Sequence, residues 1–206
     1  LREDFYHYLV EDIFDEHFIV PSYTWNVSGN MAVSIGAGPV GNPGVAGLSY
    51  DGGDGDTYSY SSGETSFTWA DVDTVSITIA FSSTARDYLF FFGLLCPESD
   101  ALIGFQRNDS SSGRTTQYAA YSQSAGGAIT FEQGLSGTKT GYCTFIIRRI
   151  SETSAAWSFG GGAETIINPS GMPVDEDVLI PYFLCPSSAG AAQTASIDRV
   201  RVTKRI

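Results

Sequence analysis

From Trp25 onward, apolar and polar residues alternate in short runs, separated by clusters of Gly, Pro, Ser, Asn and Asp. The clearest run is Thr74 to Phe81, where Val75, Ile77, Ile79 and Phe81 alternate with Thr74, Ser76, Thr78 and Ala80. Successive side chains of a strand point to opposite faces. This period of two therefore predicts a strand with one face in a core and the other toward water. Tyr88 to Leu95 is a continuous apolar run broken by Gly93, which predicts a strand covered on both faces. Phe145, Ile146 and Ile147 read the same way. Val178 to Cys185 is another apolar run, and its Pro181 predicts an edge strand or a bulge, because proline has no amide hydrogen to give a ladder. Near the end, Val200 and Val202 alternate with Arg199, Arg201 and Thr203. Ile197 is out of phase, which predicts a bulge or burial on both faces.

Residues 3–14 carry the one helical pattern. Phe5, Leu9 and Ile13 fall at i, i+4 and i+8, with Asp4, His7, Glu11 and Asp15 as a polar stripe. Tyr6, Tyr8, Val10 and Phe14 suit a strand as well. The expected organisation is an N-terminal extension or anchor segment over residues 1–22, with a short helix, followed by one β-domain over 23–206. About a dozen short strands with Gly-rich turns between them predict a sandwich or barrel. The lack of strand–helix–strand alternation excludes a doubly wound fold.

Composition narrows the function classes. Thirteen Phe, 11 Tyr and 3 Trp in 206 residues can fill one sizeable core. A net charge of −12 argues against duplex nucleic acid and against an anionic membrane as main partners, since both need clustered Lys and Arg. The charges are uneven. Glu3, Asp4, Glu11, Asp12, Asp15 and Glu16 crowd the start, while Arg199, Arg201, Lys204 and Arg205 crowd the end. A first and last strand lying side by side would pair these sets. No run approaches 18 apolar residues, so no membrane-spanning helix is expected. Cys96, Cys143 and Cys185 fit neither a zinc site nor a disulfide framework, so buried thiols are expected. Cys96 and Cys185 each end an apolar run before Pro, which leaves open that they are neighbours.

Several motifs carry candidate chemistry. Gly36-Ala-Gly38-Pro-Val-Gly41 has the spacing of a dinucleotide loop, but Pro39, Pro43 and Gly44 forbid the helix that must open there. Ser34 approximates a nucleophile elbow, yet its base would follow it in the chain, and the histidines, His7 and His17, both precede it. Asp51, Asp54 and Asp56 form an acidic Gly-rich loop, the candidate calcium site, with solvated turns as the other reading. Glycoside cleavage needs two opposed carboxylates. Asp71/Asp73, Glu98/Asp100 and Asp175/Asp177 have strand spacing, but they fall at turns or strand ends and read as solvated. Trp25, Trp69 and Trp157 have the chemistry to stack on sugars, though aromatic residues of a sandwich more often fill its core. Asn26-Val-Ser28 and Asn108-Asp-Ser110 are glycosylation sequons that matter only in a secreted eukaryotic chain.

Four stretches together resemble the concanavalin-A-like lectin/glucanase jelly rolls of tailed-phage particle proteins. They are Glu11-Asp-Ile-Phe14 followed by Tyr23-Thr-Trp25-Asn-Val-Ser28-Gly29, then Asn42-Pro-Gly-Val-Ala-Gly-Leu-Ser49, then Ala101-Leu-Ile-Gly-Phe105, and finally Ala195-Ser-Ile-Asp-Arg-Val-Arg-Val202. The resemblance implies an all-β, two-sheet antiparallel jelly-roll sandwich. It also implies a virion structural protein, such as a capsid decoration, fibre or tail component. Such a protein would assemble with copies of itself and other virion proteins, and would bind a host-surface glycan in some cases. The family's glucanases carry an acidic catalytic strand that this sequence lacks. The expectation is accordingly that the chain is not an enzyme, with no catalytic residues and no cofactor beyond the candidate calcium. A carbohydrate-binding module and a polysaccharide hydrolase or lyase are the alternatives.

Overall fold

A computed structural model gives the architecture. It describes residues 8–10, 23–27, 31–36, 45–50, 56–62, 67–81, 88–109, 117–128, 130–136, 141–167, 171–185 and 193–204. In chain order the strands are β1 (Tyr8–Val10), β2 (Tyr23–Val27), β3 (Met31–Gly36), β4 (Val45–Tyr50), β5 (Asp56–Ser62) and β6 (Phe67–Thr68). A single 3₁₀ turn over Trp69–Asp71 leads into β7 (Val72–Phe81). Then follow β8 (Tyr88–Leu95), β9 (Leu102–Asp109), β10 (Gln117–Gln123), β11 (Thr130–Ser136), β12 (Cys143–Ser151), β13 (Ser154–Phe159), β14 (Thr165–Ile167), β15 (Val178–Cys185) and β16 (Gln193–Lys204).

These strands form two antiparallel sheets of eight among the described residues. Sheet A runs β14-β13-β12-β7-β16-β4-β3, with β1 also on β16. Sheet B runs β11-β10-β9-β8-β15-β5-β2, with β6 also on β15. The last two strands of the chain thus sit inside the sheets, β16 between β7 and β4, and β15 between β8 and β5. The alternation predicted for residues 74–81 is realised in β7. Val75, Ile77 and Ile79 are buried, and Ser76, Thr78 and Ala80 are half-buried on the outer face. β8 is covered on both faces, with Phe90, Phe92 and Leu94 in the main core and Phe91 buried on the other side.

The inner faces of the two sheets enclose one main core. At its centre the Phe145 ring lies 4.8 Å from Phe92, 4.8 Å from Tyr118, 5.0 Å from Phe105 and 5.7 Å from Phe159, centroid to centroid. Contacts at these distances add to the burial of each ring. Trp69 and Trp157 are fully buried in this core and are not exposed sugar platforms.

Several expectations are corrected. Within residues 3–14 the described stretch, Tyr8–Val10, is a strand, with Tyr8 opposite Thr203 and Val10 opposite Val202. An aromatic and a β-branched residue two apart suit the ladder offered by β16. First and last strands therefore do lie side by side. The acidic residues near the start lie outside the described residues; Lys204 pairs with Asp71 at 3.3 Å. Ile146 is only half-buried, so β12 is not covered on both faces at that point. Pro181 lies in the interior of sheet B. On one side it faces Leu94 of β8. On the other, β6 pairs no further than Leu179 and β5 begins at Tyr182, so Pro181 falls in the interval between two partner strands. A residue without an amide hydrogen costs no ladder bond there. Ile197 meets its expectation, with a register shift between Ile197 and Arg199.

Cys96 and Cys143 are buried free thiols. Cys96 follows Leu95, which faces Ile180, while Cys185 lies past Leu184, which faces Phe91. The two cysteines therefore stand at opposite ends of the β8–β15 ladder, six residues or roughly 20 Å apart at strand rise. They are not neighbours.

Candidate functional site

Two places concentrate chemistry. The first is one end of the sandwich, where the 3₁₀ turn, the turn after β8 and the loop before β15, which carry acids singled out in the sequence, meet. The 3₁₀ turn and the loop before β15 are stitched together by main-chain bonds from Trp69 N to Asp177 O and from Ala70 N to Asp175 O, both 3.1 Å. Asp177 is buried. Its carboxylate accepts from Ser99 Oγ at 2.8 Å and from Val174 N at 2.8 Å, tying the turn after β8 to this loop. Asp175 accepts from Arg149 Nη2. The Arg149 side chain is 5% exposed and that of Asp175 is 36% exposed. The Arg149 guanidinium also lies 5.7 Å from the Trp69 ring centroid.

Asp71 accepts from Thr68 Oγ1 at 3.0 Å and faces Lys204. The Thr68 hydroxyl, and after it Lys204, hold the Asp71 carboxyl below its usual range. Asp73 accepts from Thr74 Oγ1 at 3.0 Å. Glu98 and Asp100 are exposed, as expected of solvated turns. Asp175 and Asp177 depart from that expectation, because their carboxylates are engaged by Arg149, Ser99 and Val174. Among the described residues no group of three His, Cys, Asp or Glu is placed to hold a metal ion. Of the candidate calcium ligands, Asp51 and Asp54 lie outside the described residues. Asp56 opens β5 with its backbone opposite Cys185.

The second place is the face of sheet B that points away from the core. One row across four strands reads Tyr182 on β15, Gly93 on β8, Gly104 on β9 and Tyr121 on β10. The two glycines leave the middle of the row without side chains. The two tyrosines close over it, and their hydroxyls are hydrogen-bonded to each other. Both rings are buried on this outer side, at 1% and 2% exposure. Phe91, edge-on to Tyr121 at 5.2 Å, belongs to the same cluster, with Leu95, Leu102 and Leu184 packed against it. Burial pushes the Tyr121 hydroxyl well above its ordinary range, and the neighbouring Tyr182 adds to the shift. Burial raises Tyr182 too, partly offset by its bond from Tyr121.

The glycines are required by this geometry. A Cβ on Gly93 would stand 2.3 Å from Ile103 O, and one on Gly104 would stand 2.3 Å from Phe92 O. Sequence reasoning missed this cluster. Its one visible sign was Gly93 interrupting an apolar run. The strands β8, β9, β10 and β15 hold a single acidic residue between them, Asp109 at the end of β9. A pair of carboxylates for glycoside cleavage would therefore need groups from outside these four strands.

No protein-family model matches the chain, and no curated protein matches it in sequence. Solved structures do. The conserved carbohydrate esterase of the Shiga toxin-encoding bacteriophage phi24B matches over 98% of this chain and 100% of its own, with a TM-score of 0.65 at 13% identity. The Bacillus licheniformis β-glucanase matches over 99% and 100%, with a TM-score of 0.62 at 13% identity. The fold is the glucanase-like jelly roll. A third example of this jelly roll is the Bacteroides ovatus mixed linkage glucan GH16 protein, solved with a G4G4G3G product. It covers 94% of this chain and 99% of its own, with a TM-score of 0.64 at 14% identity.

These are likenesses of fold, and they bear out the two-sheet antiparallel jelly roll expected from the sequence. They also correct the expectation of a non-enzyme, because a carbohydrate esterase and glucanases are among the proteins that share this jelly roll over nearly its whole length. That expectation leaned on a missing acidic strand. Catalytic groups also come from the loops that a rigid scaffold presents, and no strand pattern reports those.

Proposed function

We propose that the chain is a carbohydrate-active jelly roll of a phage particle, one that engages a polysaccharide of the host surface. The observation that supports this reading is the match, across nearly the full length of both chains, to a phage carbohydrate esterase, joined by β-glucanases of the same fold. A rigid pair of sheets suits display of a glycan-contacting surface. Its other partners are particle proteins and further copies of itself, since such proteins are repeated around symmetry axes. The acidic loop with Asp51, Asp54 and Asp56 is the proposed calcium site, and calorimetric titration with Ca²⁺ tests it.

A second reading, polysaccharide hydrolysis, is favoured by the glucanases among the structural matches. One experiment separates the readings. The purified chain is incubated with mixed-linkage glucan, a β-1,3-glucan and acetylated capsular polysaccharide of candidate hosts. New reducing ends indicate glycoside cleavage, and released acetate indicates ester cleavage. Retention in affinity electrophoresis without either indicates binding. No release and no retention on any of these polysaccharides overturns the carbohydrate reading. Antibody labelling of intact particles tests the virion location separately.

A further inference from the structure

We draw no further inference here: the strongest candidate, the buried Tyr121–Tyr182 pair above Gly93 and Gly104 on the outer face of sheet B, carries nothing because no described part of the structure shows what covers that face.

Discussion

Tyr121 and Tyr182 touch hydroxyl to hydroxyl although two strands, β8 and β9, run between them. The contact exists because the intervening row positions are Gly93 and Gly104. Any side chain there would meet main-chain oxygen at 2.3 Å, and main chain in the middle of a sheet cannot yield cheaply. Gly104→Ala is therefore expected to lower stability by about 3 kcal/mol, the upper part of the range for overpacking. Urea denaturation reads this directly, and an unchanged midpoint would contradict the close approach.

The same pair predicts alkaline sensitivity. Burial raises both hydroxyls above their unfolded value near 10. Above that pH the unfolded chain releases these protons while the folded chain keeps them. Stability is thus complete below pH 10 and falls as pH rises beyond it, by up to about 1.4 kcal/mol per pH unit for each tyrosine. The double variant Tyr121→Phe with Tyr182→Phe should show a shallower decline between pH 10 and 11. Equal slopes for wild type and double variant would remove the prediction.

At the acid-rich end, Arg149 is nearly enclosed and depends on Asp175 for its counter-charge. Asp175→Ala leaves that guanidinium buried without it. A fully buried pair broken in this way costs about 3–5 kcal/mol. Because Asp175 itself is partly exposed, about 2 kcal/mol is expected. The contrasting pair is Arg148 with Glu164, bidentate but 41% and 43% exposed. Glu164→Ala should change stability by no more than about 0.5 kcal/mol. Thermal melts of the two variants should separate clearly, and similar shifts would show that enclosure is not what matters.

In the main core, Phe145 contacts rings from both sheets: Tyr118, Phe92 and Phe105 on sheet B, and Phe159 on sheet A. Phe145→Ala is expected to cost about 3–5 kcal/mol. Phe145→Leu retains most of the volume and should cost markedly less. Equilibrium unfolding of both variants checks the order.

Much of the architecture was legible in the chain. Val75, Ile77 and Ile79 announced their strand because a period of two is a local property. Ile197 announced its bulge by breaking phase. Pro181 was read as an edge or a bulge, since no local pattern shows that two strands share one flank of β15. The helical reading of residues 3–14 failed at Tyr8–Val10 for a related reason, because the ladder it joins lies almost at the other end of the chain. The tyrosine row was invisible because its members come from four strands. The acid-rich end was half visible. Its carboxylates were named, but Arg149, Ser99 and Lys204, which engage them, come from three other segments.

The order in which the strands emerge from synthesis has a kinetic consequence. Among the described residues, sheet A consists of two partial ribbons, β14-β13-β12-β7 and β4-β3, which β16 joins. The described strands of sheet B are likewise joined by β15. A growing chain must hold four open ribbon margins until its final quarter arrives, so folding is expected to be slow and late. Nascent or C-terminally shortened chains would then be prone to associate through those margins.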